Sequence, residues 1–298
     1  MIEKGMTKED FLNIEETPNK VKQSEIEKHL NKQILGAAVG DIIGSIYEFN
    51  NYRSKEFLLF SPKCFFTDDT VMTFAILKAL LDCKGKYKNL EKYATKEMLA
   101  FGKKYPDEDY GGRFRDWLNS KKPVPYNSYG NGSAMRVSAV PYFAKSLEEV
   151  KELSYLVTKP THNHPEGVKG AEATAVAIWL ALNGKTKEEI KEHIEQNYYI
   201  LDFDYDDLKQ NYYFNETCQE TVPQAIYCFL ISTDFEDAIR TGISIGGDSD
   251  TLCAITGAIA EAYYGVPESI SNIALQYFDK NLLKLHEEFK KYMKNAHK

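Results

Sequence analysis

The apolar residues of this 298-residue chain recur almost everywhere at steps of three and four, and that period commits the chain to helices. Leu252, Ile255, Ile259, Ala262 and Tyr263 share one face, as do Ile270, Ile273, Ala274, Tyr277 and Phe278. Another stripe begins at Asp69 and runs through Val71, Ala75 and Leu77–Leu81. The stretch Ala171–Leu182 (AEATAVAIWLAL) carries one charge, Glu172, and so requires neighbours on nearly every side. Strand signals are scarce, with no series of alternating Val, Ile and Thr runs joined by Asn-Gly or Asp-Gly turns. Further helices are expected near 26–47, 89–103, 134–144, 147–159, 165–183, 186–197, 219–231 and 234–243. Gly85, Gly184 and Gly265 mark helix ends. Irregular segments fall near 49–66, 104–131 and 198–218, and the second, rich in Tyr, Pro, Gly and Asp, has the character of a functional loop. The expected fold is all-α, a single compact multi-helix orthogonal bundle over residues 31–298 behind a polar N-terminal extension over 1–30.

Composition narrows the function classes. Hydrophobic residues at 43% and charged residues at 27% describe an ordinary globular domain. A net charge of -7 argues against a protein held mainly by nucleic-acid phosphates, while leaving room for a small anion in a local pocket. The five cysteines form no C-x-x-C pair, which gives no zinc site or disulfide framework and reads as small buried thiols. Met1–Lys32 has no apolar core of a signal peptide, and no stretch approaches the roughly 20 apolar residues of a membrane span. The expectation is a cytoplasmic monomer with no membrane partner.

Two helix starts stand out. Thr67-Asp68-Asp69-Thr70 precedes the helix Val71–Leu81, and Gly246-Gly247-Asp248-Ser249-Asp250-Thr251 precedes Leu252–Tyr264. Either alone reads as capping, because Ser, Thr and Asp satisfy free N–H groups and negative charge suits the helix N-terminus. Capping needs one such residue, however, and each segment supplies three or four. If the two starts meet inside the protein, their carboxylates repel one another unless a cation compensates. Oxygen ligands without Cys or His select Mg²⁺ or Mn²⁺ over Zn²⁺, and two clusters can support an ion pair roughly 3.5–4 Å apart.

Three other segments carry chemistry-bearing residues. Tyr129-Gly130-Asn131-Gly132-Ser133-Ala134-Met135-Arg136 is a glycine-bearing loop read as opening a helix, which makes either a tight turn or a phosphate cradle. Gly36-Ala37-Ala38-Val39-Gly40-Asp41-Ile42-Ile43-Gly44 is a close-packing helix in which Asp41, like Glu48 just beyond, needs a partner or a task. In Thr161-His162-Asn163-His164-Pro165-Glu166, Pro165 suits a first helical position with His164 or Asn163 as cap. The acidic run Pro106–Asp109 beside Tyr110 reads first as a solvated loop and second as a face for a guanidinium.

In this order, GAAVGDIIGSIYE (36–48), FTDDT (66–70), YGNGSAMR (129–136), THNHPEG (161–167) and GGDSDT (246–251) resemble the ADP-ribosylglycohydrolase superfamily, from about Ile34 to Pro267. The resemblance implies an all-α fold with a binuclear Mg²⁺ or Mn²⁺ site at converging helix N-termini, and hydrolysis of the glycosidic bond between ADP-ribose and an acceptor. Carried over, Thr67, Asp68 and Asp69 match the first ligand cluster, and Asp248, Asp250 and Thr251 the second. Gly130, Asn131, Gly132, Ser133 and Met135 match the loop on the diphosphate and neighbouring ribose, and His162 matches a histidine near the substrate. Glu48 resembles the glutamate that serine-directed members place beside the metals as acid/base or gate, which arginine-directed members lack. The proton acceptor implied is Glu48 or an aspartate, Asp69 or Asp248. The alternatives are hydrolysis of a small metabolite such as an acylated ADP-ribose, and a non-catalytic relative of the lens-crystallin kind.

Overall fold

The computed structural model describes residues 33–296, and among them there is no β-strand. The helices are α1 (Gly36–Gly44), α2 (Asp68–Cys83), α3 (Leu90–Lys104), α4 (Gly112–Leu118), α5 (Leu147–Thr158), α6 (Pro165–Leu182) and α7 (Lys187–Asn197). They continue as α8 (Tyr205–Asn211), α9 (Cys218–Ile231), α10 (Phe235–Ile245), α11 (Ser249–Tyr264), α12 (Glu268–Ala274) and α13 (Lys280–Ala296). The N-terminal extension, and the part of the expected 26–47 helix before residue 33, lie outside the described residues.

Two helices form the axis on which the site is built. α1 lies directly against α11 along Gly36, Gly40 and Gly44, one residue per turn. A Cβ on Gly40 would stand 1.9 Å from the carbonyl oxygen of Cys253, and one on Gly44 would stand 2.4 Å from the Cα of Asp250. No residue larger than glycine permits that approach. α6 is buried along most of its length by α5, α9 and α11, and its single mid-helix charge, Glu172, accepts a hydrogen bond from Tyr198 at 2.7 Å. Of the two caps expected for α6 the structure uses His164, whose Nδ1 accepts from the Glu166 N–H at 3.1 Å.

The structure departs from expectation in three places. Residues 134–144 are a chain of turns ending in a 3-10 turn at Val140–Tyr142, and the 129–136 loop therefore opens no α-helix. Pro141 explains the difference: it has no N–H to give to the Val137 carbonyl four residues back, which accepts instead from the Val140 N–H at 2.9 Å. Second, the two long irregular segments each hold a short helix, α4 and α8, and the latter is capped by Asp204 accepting from the Asp207 N–H at 2.8 Å. Third, α13 was not expected, although Leu282, Leu285, Phe289 and Met293 form a buried stripe at helical spacing that packs on α2.

Candidate active site

The start of α11 is a forced turn. Gly246 and Gly247 have φ of 76° and 83°, a region that L side chains avoid, and a Cβ on Gly247 would lie 2.3 Å from the Tyr212 ring. One carboxamide fixes the turn: Asn51 accepts from the Gly247 N–H at 2.9 Å and donates to the Gly247 carbonyl at 2.9 Å. The same Asn51 amide reaches the carbonyls of Tyr47 and Glu48 at 2.9 and 3.1 Å, so the segment that presents Glu48 is tied to the segment that presents Asp248.

The start of α2 is organised by Asp41 of α1. Its carboxylate accepts from the backbone N–H of Thr67 (2.9 Å) and Thr70 (3.1 Å), from the Thr67 hydroxyl (2.7 Å) and from the Thr70 hydroxyl. Asp41 thus caps α2 from a neighbouring helix, while Gly44 one turn on presses against Asp250. Helix α1 is a splint between the two acidic starts, and they meet. Thr251 donates to Asp69 at 3.0 Å, and Thr67 Oγ1 lies 3.4 Å from Asp250 Oδ2.

The meeting leaves bonding capacity unmet. Asp69 Oδ1 and Asp250 Oδ1 are buried with no hydrogen-bond partner, a costly state for a carboxylate. Glu48, Asp248 and Asp250 each offer an oxygen within 4.8 Å of the others. Burial, and then neighbouring carboxylates with Asp250 first, push Asp68 and Asp69 well above the usual range. Asp250 is raised likewise, by burial and by Asp248. Burial lifts Asp41 and Asp248 to about 6, and burial with Asp250 and Asp109 lifts Glu48 to about 8. Clustered acids that resist ionisation, two of them with a buried oxygen left unpartnered, fit a hard divalent cation.

Glu48, Asp68, Asp69, Asp248 and Asp250 line a cavity of about 230 Å³, and the rest of its lining is of different chemistry. Gly130 and Gly132 face His162, and a Cβ on Gly132 would lie 3.5 Å from its Nε2. Asn131 joins the two parts of the lining, donating to Asp248 Oδ2 at 2.7 Å and to Thr221 Oγ1 at 3.1 Å. Met135, half-buried Tyr126 and Arg136 complete this side, and exposed Arg113 lies 4.9 Å over the Tyr126 ring. No carboxylate among the described residues pairs with Arg113, which leaves an uncompensated cation at the rim.

Of the residues expected from sequence, Glu48, Asp68, Asp69, Gly130, Asn131, Gly132, Met135, His162, Asp248, Asp250 and Thr251 line this cavity. Two stand behind it. Ser133 turns inward and donates to the Gly167 carbonyl at 2.7 Å, and Thr67 donates its hydroxyl hydrogen to Asp41. Sequence reading left Arg113, Arg136, Tyr126 and Glu216 unassigned. The Gly111-Gly112 pair ahead of Arg113, inside a segment already marked as a functional loop, was the available signal. Of the acidic run 106–109, Asp109 reaches the rim.

The sequence model of the ADP-ribosylglycohydrolase family matches residues 23–294, beginning inside the stretch read as an extension. ADP-ribosylhydrolase ARH3 of Mus musculus is 30% identical over 315 residues, covering 79% of this chain and 84% of its own length. The Homo sapiens ARH3 is 30% identical over 339 residues, covering 87% and 93%. ADP-ribosylarginine hydrolase Tri1 of Pseudomonas putida (strain GB-1) is 26% identical over 299 residues, covering 86% and 76%. A solved chain described as an ADP-ribosylglycohydrolase-related protein complex shares the fold at a TM-score of 0.64 and 22% identity, covering 91% of this chain and 97% of its own. With its helices, its loop order and nearly its whole length accounted for, the chain belongs to the ADP-ribosylglycohydrolase family of glycosidase-type hydrolases.

Proposed function

We propose that this protein hydrolyses the bond between the distal ribose of ADP-ribose and an acceptor, with two Mg²⁺ or Mn²⁺ ions as cofactor. The observation that carries this reading is the pair of orphaned oxygens on Asp69 and Asp250, buried beside Glu48 in one cavity with a glycine loop and a histidine. Asp68, Asp69, Asp248 and Asp250 would hold the cations, with Thr251 and the remaining lone pair of Thr67. The bound ions supply positive charge that the acids lack and Lewis acidity at the ribose hydroxyls.

The chain's own groups do the rest. The loop at Gly130–Gly132 admits the diphosphate and ribose without a side chain in the way, and Arg113 gives the diphosphate a counter-charge. In the reaction a water oxygen bonds to the anomeric carbon as the bond to the acceptor breaks, through an oxocarbenium-like state. Glu48 takes the water proton and returns a proton to the departing acceptor. Its carboxyl is raised to about 8 by burial and then by Asp250 and Asp109, and a bound cation would lower it toward a range in which it can exchange a proton. An aspartate acceptor, Asp69 or Asp248, is weaker on this account because its oxygens face ligation.

Glu48 on the wall favours an O-linked acceptor such as ADP-ribosyl-serine. A second reading, an arginine acceptor, draws on exposed Asp109 and Glu216 at the rim and on the relative named for ADP-ribosylarginine. Release of free ADP-ribose is to be measured from serine-, arginine-, base- and acyl-linked substrates, each with EDTA and after Mg²⁺ or Mn²⁺ is restored. The expected result is metal-dependent release, fastest from the serine linkage. Full activity in metal-free protein would sink the two-metal reading, and no release from any substrate would sink hydrolysis itself.

A further inference from the structure

Along the cavity wall runs a buried chain of three polar groups, two of which, Arg136 and His162, line the cavity. Arg136 is 1% exposed, and its Nη2 donates to Thr161 Oγ1 at 2.7 Å. Thr161 Oγ1 in turn lies 2.7 Å from His162 Nδ1. Both Thr161 and His162 are buried, and the other ring nitrogen of His162 faces the Gly130–Gly132 loop.

The hydrogen count along this chain permits one arrangement that satisfies both the Thr161 hydroxyl and His162 Nδ1. A guanidinium cannot accept, so Arg136 must donate to Thr161. A hydroxyl has one hydrogen, and among the described residues Thr161 Oγ1 has hydrogen-bond partners only in Arg136 and His162. If His162 Nδ1 carried a proton, two donors would point at Oγ1 and its own hydrogen would be stranded in a buried site, at the cost of an unmade bond. With Thr161 donating to a bare Nδ1, neither the hydroxyl hydrogen nor the ring nitrogen is stranded. The imidazolium, which would protonate both nitrogens, is opposed by burial and then by Arg136 and Arg113, all of which hold His162 well below its ordinary range.

We infer that Arg136 and Thr161 are positioning residues that lock His162 as the neutral Nε2–H tautomer, a hydrogen-bond donor toward the glycine loop. His162 then gives a hydrogen bond to a phosphate or hydroxyl oxygen of the ligand, and it does not serve as a base. The identity of that ligand rests on the function proposed above; the tautomer does not. The relay gives a buried arginine at the cavity wall a polar partner, Thr161, and gives a reason for a threonine to precede the histidine.

The test uses the whole protein labelled with ¹⁵N-histidine. Long-range ¹H–¹⁵N spectra distinguish a bare from a protonated ring nitrogen, and comparison with His162→Gln assigns the signal. Wild type is expected to show a bare Nδ1 and a protonated Nε2. A protonated Nδ1 in wild type overturns the inference outright, with no variant required. Thr161→Val is expected to mix or reverse the tautomers and to weaken ADP-ribose binding about tenfold or more, the loss of one bond to a charged group. Thr161→Ser is expected to restore both. An unaltered tautomer in Thr161→Val overturns the role of Thr161, and an altered tautomer with unaltered ADP-ribose affinity overturns the donor role toward the ligand. If wild type binds no ADP-ribose, the proposed function fails while the spectra still decide the tautomer.

Discussion

Helix α11 carries a buried carboxylate near each end, and α1 crosses both. Near the C-terminal end Glu261 accepts from the backbone N–H of Gln33 at 2.7 Å and of Gly36 at 2.6 Å, capping the start of α1. At the N-terminal end, about three turns away, Asp250 keeps one oxygen without any partner. Both residues are almost fully buried, and burial raises the pKa of each. Backbone N–H groups oppose that rise at Glu261, whereas further carboxylates reinforce it at Asp250. Burial of an acid therefore does not mark a site; unmet bonding does. Glu261 finishes a helix start, and Asp250 is itself unfinished.

The comparison breaks most visibly through Glu261→Ala. Two buried N–H groups lose their acceptor and a cavity opens, so a loss of about 2–4 kcal/mol is expected. The loss should be the same with Mg²⁺ as with EDTA, as read from urea unfolding curves. A loss that Mg²⁺ repairs would place Glu261 with the metal ligands and erase the contrast.

Asp250→Asn should behave in the opposite way. Removing one of several repelling acids leaves the metal-free protein as stable as wild type or more so. What it loses is the gain from metal, about 2.7 kcal/mol at a hundredfold excess over Kd, or a melting shift on the order of 5 °C. An N-cap aspartate replaced by asparagine would show a small effect independent of metal. Equal Mg²⁺ shifts in variant and wild type would remove Asp250 from the ligand set.

The smallest effect sharpens the same contrast through pH. Carboxyls whose folded pKa is raised bind more protons in the native state than in the unfolded one. Their contribution is intact below the unfolded carboxylate range near 4 and is lost as pH rises through the folded values. For Asp41 and Asp248 that value is about 6, and for Glu48 about 8. Metal-free protein should therefore lose stability steadily from mildly acid to mildly alkaline conditions, and Mg²⁺ should flatten the slope. Glu48→Gln should remove the upper part of the slope and leave the lower part. A pH-independent stability in EDTA would mean that these acids are not strained.

Much of this was legible before any fold was known. Helical period is a local property, so α2, α6, α11 and their glycine stops follow from spacing over one or two turns. The resemblance rests on five segments whose order along the chain is itself sequence. The exceptions within reach of local reading were the 134–144 stretch, where the apolar pattern outweighed Pro141, and α13, whose stripe went unread.

What tertiary structure alone decided is which acids meet and which are satisfied. Thr67 and Asp250 are 183 positions apart, and Asp41 lies 26 positions from the helix it caps. No periodicity encodes such pairings, because they depend on three glycines of α1 letting two helix backbones touch. The same holds for Ser133, which the sequence places in the loop and packing turns toward Gly167, and for Arg136, whose only visible role in sequence was to close a motif. Local chemistry names the residues that can carry a reaction; their remaining donors and acceptors are assigned only when distant segments come within hydrogen-bond reach.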